Sequence, residues 1–206
     1  MKIKSLLFVC CLATSSVAVV AALPACSRAV EKYDTLVDKD ERCNQLWADV
    51  EAQLQRRFDL VPNLVNIVKG SAAHEEKVLK EVMEARASAT QIKLSADDLT
   101  DPAKMEAFKK AQEELKGSLS RLMMVQESYP DLKANSQFHD LMIQLEGTEN
   151  RILQARRDYN AGVQSFNLEL RRVSGKIINP LTGKEFKARL YYSADEGAKT
   201  APSVSF

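Results

Sequence analysis

The chain has 206 residues, of which 29 are lysine or arginine and 28 are aspartate or glutamate, so its formal net charge is +1. A hydrophobic content of 45% with 28% charged residues is typical of a folded protein, and the near-neutral charge excludes the broad basic surface of a nucleic-acid-binding protein. Seven glycines and six prolines are too few for the turns of an all-β chain, so we expect one helical domain with flanking segments.

The N-terminal segment has the pattern of a membrane signal or anchor. Two lysines precede a run of twenty uncharged residues, 6–25, which is longer than the apolar core of most cleaved signals and long enough to span a bilayer. The run ends in Leu23-Pro24-Ala25-Cys26, which resembles the lipobox of bacterial lipoproteins, where the cysteine is acylated and becomes the N-terminus. We therefore expect residues 1–26 to form a signal or anchor with Cys26 as the lipidation site. An uncleaved transmembrane anchor and simple secretion are the alternatives.

The body of the chain carries four stretches in which apolar residues recur at threes and fours, the period of an amphipathic helix. These four apolar stripes are Tyr33–Phe58, Leu64–Met83, Phe108–Tyr129 and Phe138–Val173. Four such stripes joined by short loops predict an all-α fold, an elongated up-and-down antiparallel four-helix bundle over residues 27–174. After residue 174 the periodicity ends, and residues 175–206 are expected to form an irregular C-terminal tail with one short strand or helix at 186–192.

The helix boundaries follow from local signals. Asp101 has the residue type of an N-cap and Pro102 fits the first helical position, so a helix is expected to begin there. Tyr129 precedes a proline and therefore resists the helical conformation, which ends the third helix. The helical spacing of apolar residues continues through Pro62. Either one long helix kinks there or two helices meet in a tight hairpin. We favour the hairpin, because it gives nearly matched helices of about 29, 33, 28 and 40 residues.

Several blocks of sequence resemble the LemA family. The most specific block is Arg56-Arg57-Phe58-Asp59-Leu60-Val61-Pro62-Asn63-Leu64-Val65, and similar blocks follow at Glu84-Ala85-Arg86 and Glu149-Asn150-Arg151-Ile152. The resemblance covers about residues 33–173. It implies a membrane-associated helical bundle with an N-terminal anchor and its body outside the cytoplasm, in the bacterial cell envelope, and it implies no established chemistry. A lipid on Cys26 would depart from the plain transmembrane anchor common in the family, and residues 175–183 are less apolar than the family's linker.

Residues with catalytic or metal-binding chemistry are scarce. The chain has two histidines, His74 and His139, and neither belongs to the Glu-x-x-His pairs of a di-iron bundle or to the His-Glu-x-x-His motif of a zinc protease. Both are expected to be solvated or bonded to a neighbour. We therefore predict no metal, no cofactor and no catalytic residue, and a protein that is not an enzyme.

Charged residues in apolar positions suggest a polar network between helices. The members are Arg56, Arg57, Glu149, Asn150 and Arg156. A charge that is truly buried must pair, so this network would fix how the helices align. The alternative is that these long side chains lie at the edges of the stripes and reach water.

The C-terminal tail contains large apolar residues far from the four stripes. These are Phe186, Leu190, Tyr191, Tyr192 and Phe206. They either fold back onto the helices or form a partner-binding segment. The preferred function is a non-enzymatic adaptor or scaffold that is anchored to the membrane and binds another envelope protein, without nucleic acid. The alternative is a small-ligand sensor or enzyme-accessory subunit with a polar pocket lined by Glu149, Asn150 and Arg156.

Overall fold

The computed structural model describes residues 3–71, 75–172 and 186–193; at residues 3–30 and 71 it describes the helical backbone alone. The elements are α1 (Ile3–Ser71), α2 (Glu76–Gln91), α3 (Pro102–Val125), α4 (Pro130–Lys133) and α5 (Ser136–Arg171), with single 3-10 turns at Asp98–Thr100 and Gln126–Ser128. No strand occurs in these ranges. The all-α fold class is confirmed, whereas the up-and-down bundle, its domain boundaries and the N-terminal anchor stay predictions.

Helix α1 runs without interruption through Pro62, so the hairpin predicted there is wrong. Proline lacks the N–H that would bond the carbonyl four residues earlier, which belongs to Phe58. Arg86 on α2 supplies a substitute, because its Nε donates to the Phe58 carbonyl at 2.7 Å. The carbonyl is therefore satisfied from outside the helix, and α1 continues to Ser71. The second helix accordingly has 16 residues, half of the predicted length.

Helices α1 and α5 form the main packed pair and run antiparallel. Lys39 Nζ donates to Ser165 Oγ at 2.6 Å near one end of the pair, and Arg57 meets Glu149 nearer the other. At Gly162 a Cβ atom would lie 2.7 Å from a methyl group of Leu46. The missing side chain therefore allows α1 and α5 to approach closely. Helices α2 and α3 pack on each other, and α2 also packs on α1.

The core follows the predicted stripes and is richest in aromatic rings near the middle of α1. Trp47 lies 5.4 Å from Phe108 and 5.1 Å from Tyr159, measured between ring centroids. These three residues come from α1, α3 and α5, so this cluster joins three helices. Tyr192 of the C-terminal tail packs against the rings of Trp47 and Phe108.

The signals that frame α3 are confirmed. The Asp101 side chain accepts hydrogen bonds from the backbone N–H groups of Ala103 and Lys104, and Pro102 occupies the first turn. Tyr129 has an extended conformation before Pro130, as the sequence predicts, although the α-helix itself already ends at Val125.

Candidate functional site

Residues 186–193 lie on the helical body as an irregular segment that is neither helix nor strand, so the short strand or helix predicted at 186–192 is wrong. We call these residues the docked segment. They run antiparallel to α5, because Arg189 lies beside Asn167 and Tyr192 lies beside Asn160. The residues that bind the docked segment form the docking groove, and they come from α1, the loop before α3, and α5: Asp40, Asn44, Leu99, Arg156, Tyr159, Asn160 and Asn167.

Two asparagines of α5 bind the main chain of the docked segment. Asn167 donates to the Arg189 carbonyl at 2.8 Å and accepts from the Arg189 N–H at 2.9 Å. Asn160 does the same at Tyr192, with distances of 3.1 and 2.9 Å. A side-chain amide presents one donor and one acceptor side by side, so each asparagine satisfies both polar groups of one residue, as a neighbouring strand would.

Leu190 is bound between these two points. Its N–H donates to the Leu99 carbonyl at 2.9 Å, and its carbonyl accepts from the Tyr159 hydroxyl at 3.1 Å. Burial raises the pKa of Tyr159, which keeps the hydroxyl protonated and able to donate. Three successive contact points therefore recognise the backbone of the docked segment rather than its side chains.

Arg189 adds an ionic contact to this backbone recognition. Its Nη2 lies 2.8 Å from Asp40 Oδ1, and the same nitrogen donates to Asn44 Oδ1 at 2.7 Å. The guanidinium also lies 5.9 Å from the centroid of the Phe166 ring. Because Arg189 is buried, its positive charge would destabilise the folded protein without these partners.

Tyr192 closes the docking groove against the aromatic core. It is 5% exposed, and its ring lies 5.6 Å from Phe108 and 6.1 Å from Trp47. The Arg156 guanidinium stacks 4.3 Å from the centroid of the Tyr192 ring, a cation–π contact. Burial raises the pKa of the Tyr192 hydroxyl, and the positive charge of Arg156 opposes that shift.

The structure brings together part of the predicted polar network. Arg57 is 2% exposed, lies 3.1 Å from Glu149 Oε1 and donates a second, short hydrogen bond to Gln112 Oε1. Arg156 instead faces Tyr192, about two helical turns from Glu149. Arg56 and Asn150 are exposed. The sequence placed Arg57 and Glu149 in one network without pairing them, and it missed Gln112.

The predicted partner-binding residues divide into buried and exposed ones. Phe186 and Tyr192 are buried, Leu190 is half-buried, and Tyr191 is 44% exposed. Phe206 and Cys26 lie outside the residues whose side chains the structure describes, so the roles assigned to them stay predictions.

Sequence reasoning overlooked the residues that do most of the binding: Tyr159, Asn160, Asn167 and Arg189. A signal for two of them was present. Asn160 and Asn167 lie seven residues apart on one helix, so they share a face, and asparagine is a poor helix former.

An open apolar cleft continues the line of the docking groove between α3 and α5. It has a volume of about 300 Å³. Its apolar walls are Leu119, Met123, Met142, Ile143 and Leu145, with Lys116, His139, Glu146 and Glu149 at its edges. Going along α5 from Asn167 through Asn160 and Glu149 to Met142, the spacings are seven, eleven and seven residues, close to whole helical turns. The cleft therefore lies on the same face of α5 as the docking groove.

No three His, Cys, Asp or Glu side chains gather into a metal-binding group within the part of the chain that the structure describes. His139 is exposed, and His74 lies outside the described residues. Among the residues whose side chains the structure describes, which exclude residues 1–30, no helix is both long and apolar enough to cross a membrane.

Comparison with known proteins identifies the relatives of this chain. The model of the LemA family matches residues 46–206, which confirms the family expected from the sequence. The match includes the docked segment, whereas the resemblance expected from the sequence ended near residue 173. Magnetosome proteins MamQ 1 and MamQ 2 of Paramagnetospirillum magneticum are each 25% identical over 185 residues, covering 82% of this chain and 67% of theirs. Magnetosome protein MamQ of Magnetospirillum gryphiswaldense is 23% identical over 190 residues, covering 84% of this chain and 69% of its own.

Proposed function

The chain belongs to the LemA family, and on that premise we propose that it is a non-enzymatic adaptor of the bacterial cell envelope. Residues 1–26 attach it to the membrane, and the helical body lies outside the cytoplasm, where it binds other membrane proteins. The family match and the MamQ relatives support a membrane-associated protein of the LemA type.

One observation carries the adaptor function. The face of α5 that holds the docked segment through main-chain hydrogen bonds continues into an unfilled apolar cleft. Recognition of an extended backbone combined with a pocket for apolar side chains is a common way in which proteins bind a peptide segment of a partner. The partner would therefore present an extended segment with apolar side chains to the cleft.

Photo-crosslinking in intact cells tests this function. A photoreactive amino acid replaces Ile143, which lines the cleft and is 55% exposed, in the full-length chain. The matched control carries it at Leu153, which is 44% exposed on the same helix but does not line the cleft. We expect a discrete crosslinked membrane protein from position 143, and its loss when Met142→Glu places a charge in the cleft.

Equal capture from positions 143 and 153, or capture that survives Met142→Glu, would contradict binding through the cleft. The anchor is tested separately by mass spectrometry of the mature N-terminal peptide. A lipid-modified Cys26 is expected, and an unmodified Met1 would contradict the lipoprotein route.

A further inference from the structure

A second cleft opens between α1, the C-terminal half of α2, and α3. Its volume is about 620 Å³, within the range of small-molecule sites. The residues that matter for its chemistry are Glu51, Leu54, Phe58, Arg86, Phe108 and Gln112, with Lys93 at the rim. We call it the Gln112 cleft.

Gln112 lines this cleft and carries a buried hydrogen-bond donor that is not used. The residue is 3% exposed, and its Oε1 accepts from Arg57. Its Nε2 has no hydrogen-bond partner among the residues that the structure describes. Buried amide donors are nearly always paired, so an acceptor from a ligand in the cleft would remove an unfavourable feature of the unliganded protein.

The charges of the Gln112 cleft favour an anion. Arg86 and Lys93 both line it, against the single carboxylate of Glu51. Arg86 uses its Nε on the Phe58 carbonyl and has no carboxylate within ion-pair distance in the described part of the chain, so its charge is not neutralised. Glu51 already has a cationic neighbour in Lys93, whose charge opposes the effect of burial on the pKa of Glu51.

We propose that the Gln112 cleft binds a small carboxylate with an apolar body. The carboxylate lies near Arg86 and Lys93 and accepts a hydrogen bond from Gln112 Nε2, while the apolar body packs on Leu54, Phe58 and Phe108. Helix α1 contributes to both this site and the docking groove, but the two share none of their lining residues. The proposal therefore stands whether or not the protein is an adaptor.

Calorimetric titration of the full-length chain in phosphatidylcholine nanodiscs tests the site. The probes are phenylacetate, its neutral isostere phenylacetamide and the cation phenethylamine, with empty nanodiscs as the blank. We expect saturable binding of phenylacetate alone, together with a change in the fluorescence of Trp47, which lies against Phe108 and is the chain's one tryptophan. Equal binding of the three probes would overturn the proposal, and so would no binding of phenylacetate.

Charge variants locate the site without disturbing the core. Lys93 is exposed, so Lys93→Gln is expected to fold and to weaken phenylacetate binding roughly two- to fivefold. Glu51→Gln removes the opposing charge and should strengthen binding by a similar factor. Lys69 is exposed and lies on α1, as Glu51 does, so Lys69→Gln is the control and should leave the affinity for phenylacetate unchanged. Affinities that are equal in all three variants would contradict binding in this cleft.

Gln112→Met tests the hydrogen bond itself. The methionine keeps the length of the side chain, but it cannot donate and it also removes the oxygen that accepts from Arg57. Phenylacetate should bind about tenfold more weakly, because its charged carboxylate loses one hydrogen bond. The thermal unfolding midpoint of this variant shows whether it is folded. A folded Gln112→Met protein with unchanged affinity would overturn the role of the Nε2 group.

Discussion

Two regions of this molecule contain main-chain groups that regular secondary structure leaves without a partner. At Pro62 a single carbonyl, that of Phe58, is left over inside a continuous helix and is satisfied by Arg86. In the docked segment, the N–H and carbonyl groups of Arg189 and Tyr192 are satisfied by Asn167 and Asn160. Side chains from a neighbouring helix replace backbone partners in both regions.

The side chain that replaces the backbone partner differs between the two regions, because the missing hydrogen-bonding groups differ. A proline removes only a donor, so a guanidinium, which is purely a donor, is sufficient. An irregular segment lacks both donor and acceptor partners for its main chain, and an amide side chain offers both. We therefore expect the docked segment to tolerate changes in its own exposed side chains, and the Pro62 region to depend on one specific pair.

The largest effect is expected at the end of the docked segment. Tyr192→Ala removes a buried ring that contacts Trp47 and Phe108, so we expect a loss of about 3–4 kcal/mol in the free energy of unfolding. Tyr191→Ala is the matched control, because Tyr191 is exposed and should cost less than about 0.5 kcal/mol. Urea unfolding followed by circular dichroism measures both. Similar losses for the two tyrosines would mean that the segment is not docked as described.

Removing an asparagine of the docking groove should cost less. Asn167→Ala leaves the N–H and carbonyl of Arg189 without their partners, and we expect a loss of about 2 kcal/mol. The exposed Asn150 on the same helix serves as the control, since Asn150→Ala should be neutral or slightly stabilising. Hydrogen exchange at the Arg189 amide should accelerate in Asn167→Ala and not in the control. Unchanged exchange would show that Asn167 does not hold this backbone.

Substitutions in the Pro62 region should lower the free energy of unfolding by less, but their effects should depend on each other. Arg86→Met removes the donor to the Phe58 carbonyl and is expected to cost about 1–2 kcal/mol. Pro62→Ala restores the backbone N–H, so in that background the same arginine substitution should cost about 1 kcal/mol less. The double-mutant cycle is measured by urea unfolding. Additive effects of the two substitutions would disprove the link between Pro62 and Arg86.

The last prediction concerns the reactivity of Cys43, which is fully buried between α1 and α5 next to Gly162. Burial raises the pKa of its thiol from the ordinary value of 9.0 to about 11, against the lowering effect of Arg189. The reactive thiolate is therefore about a hundredfold rarer at pH 8 than in an ordinary cysteine. Iodoacetamide labelling, followed by mass spectrometry of the Cys43 peptide, should be slow, should accelerate as the pH rises toward 11, and should be faster in Tyr192→Ala. Rapid labelling at pH 8 in the unmodified protein would contradict this burial.

The helical elements were predictable because their signals are local. The apolar period, the Asp101 cap and the proline after Tyr129 each act within a few residues, and all three are confirmed. The contact of Arg57 with Glu149 was predictable only in part. Charged residues within apolar stripes must find partners, but the sequence indicated a network of five residues and not this pair. The course of α1 through Pro62 was not, because the group that satisfies the Phe58 carbonyl lies 28 residues away on another helix.

By itself the sequence determined that this protein is all-helical, which faces of its helices are buried, and which family it belongs to. Periodicity and capping are properties of neighbouring residues, and the family blocks can be read directly from the chain. Only the tertiary structure decided that the first helix continues through Pro62 and where the docked segment lies. Both depend on side chains that supply hydrogen bonds to a distant backbone, and such partners become neighbours only when the helices pack.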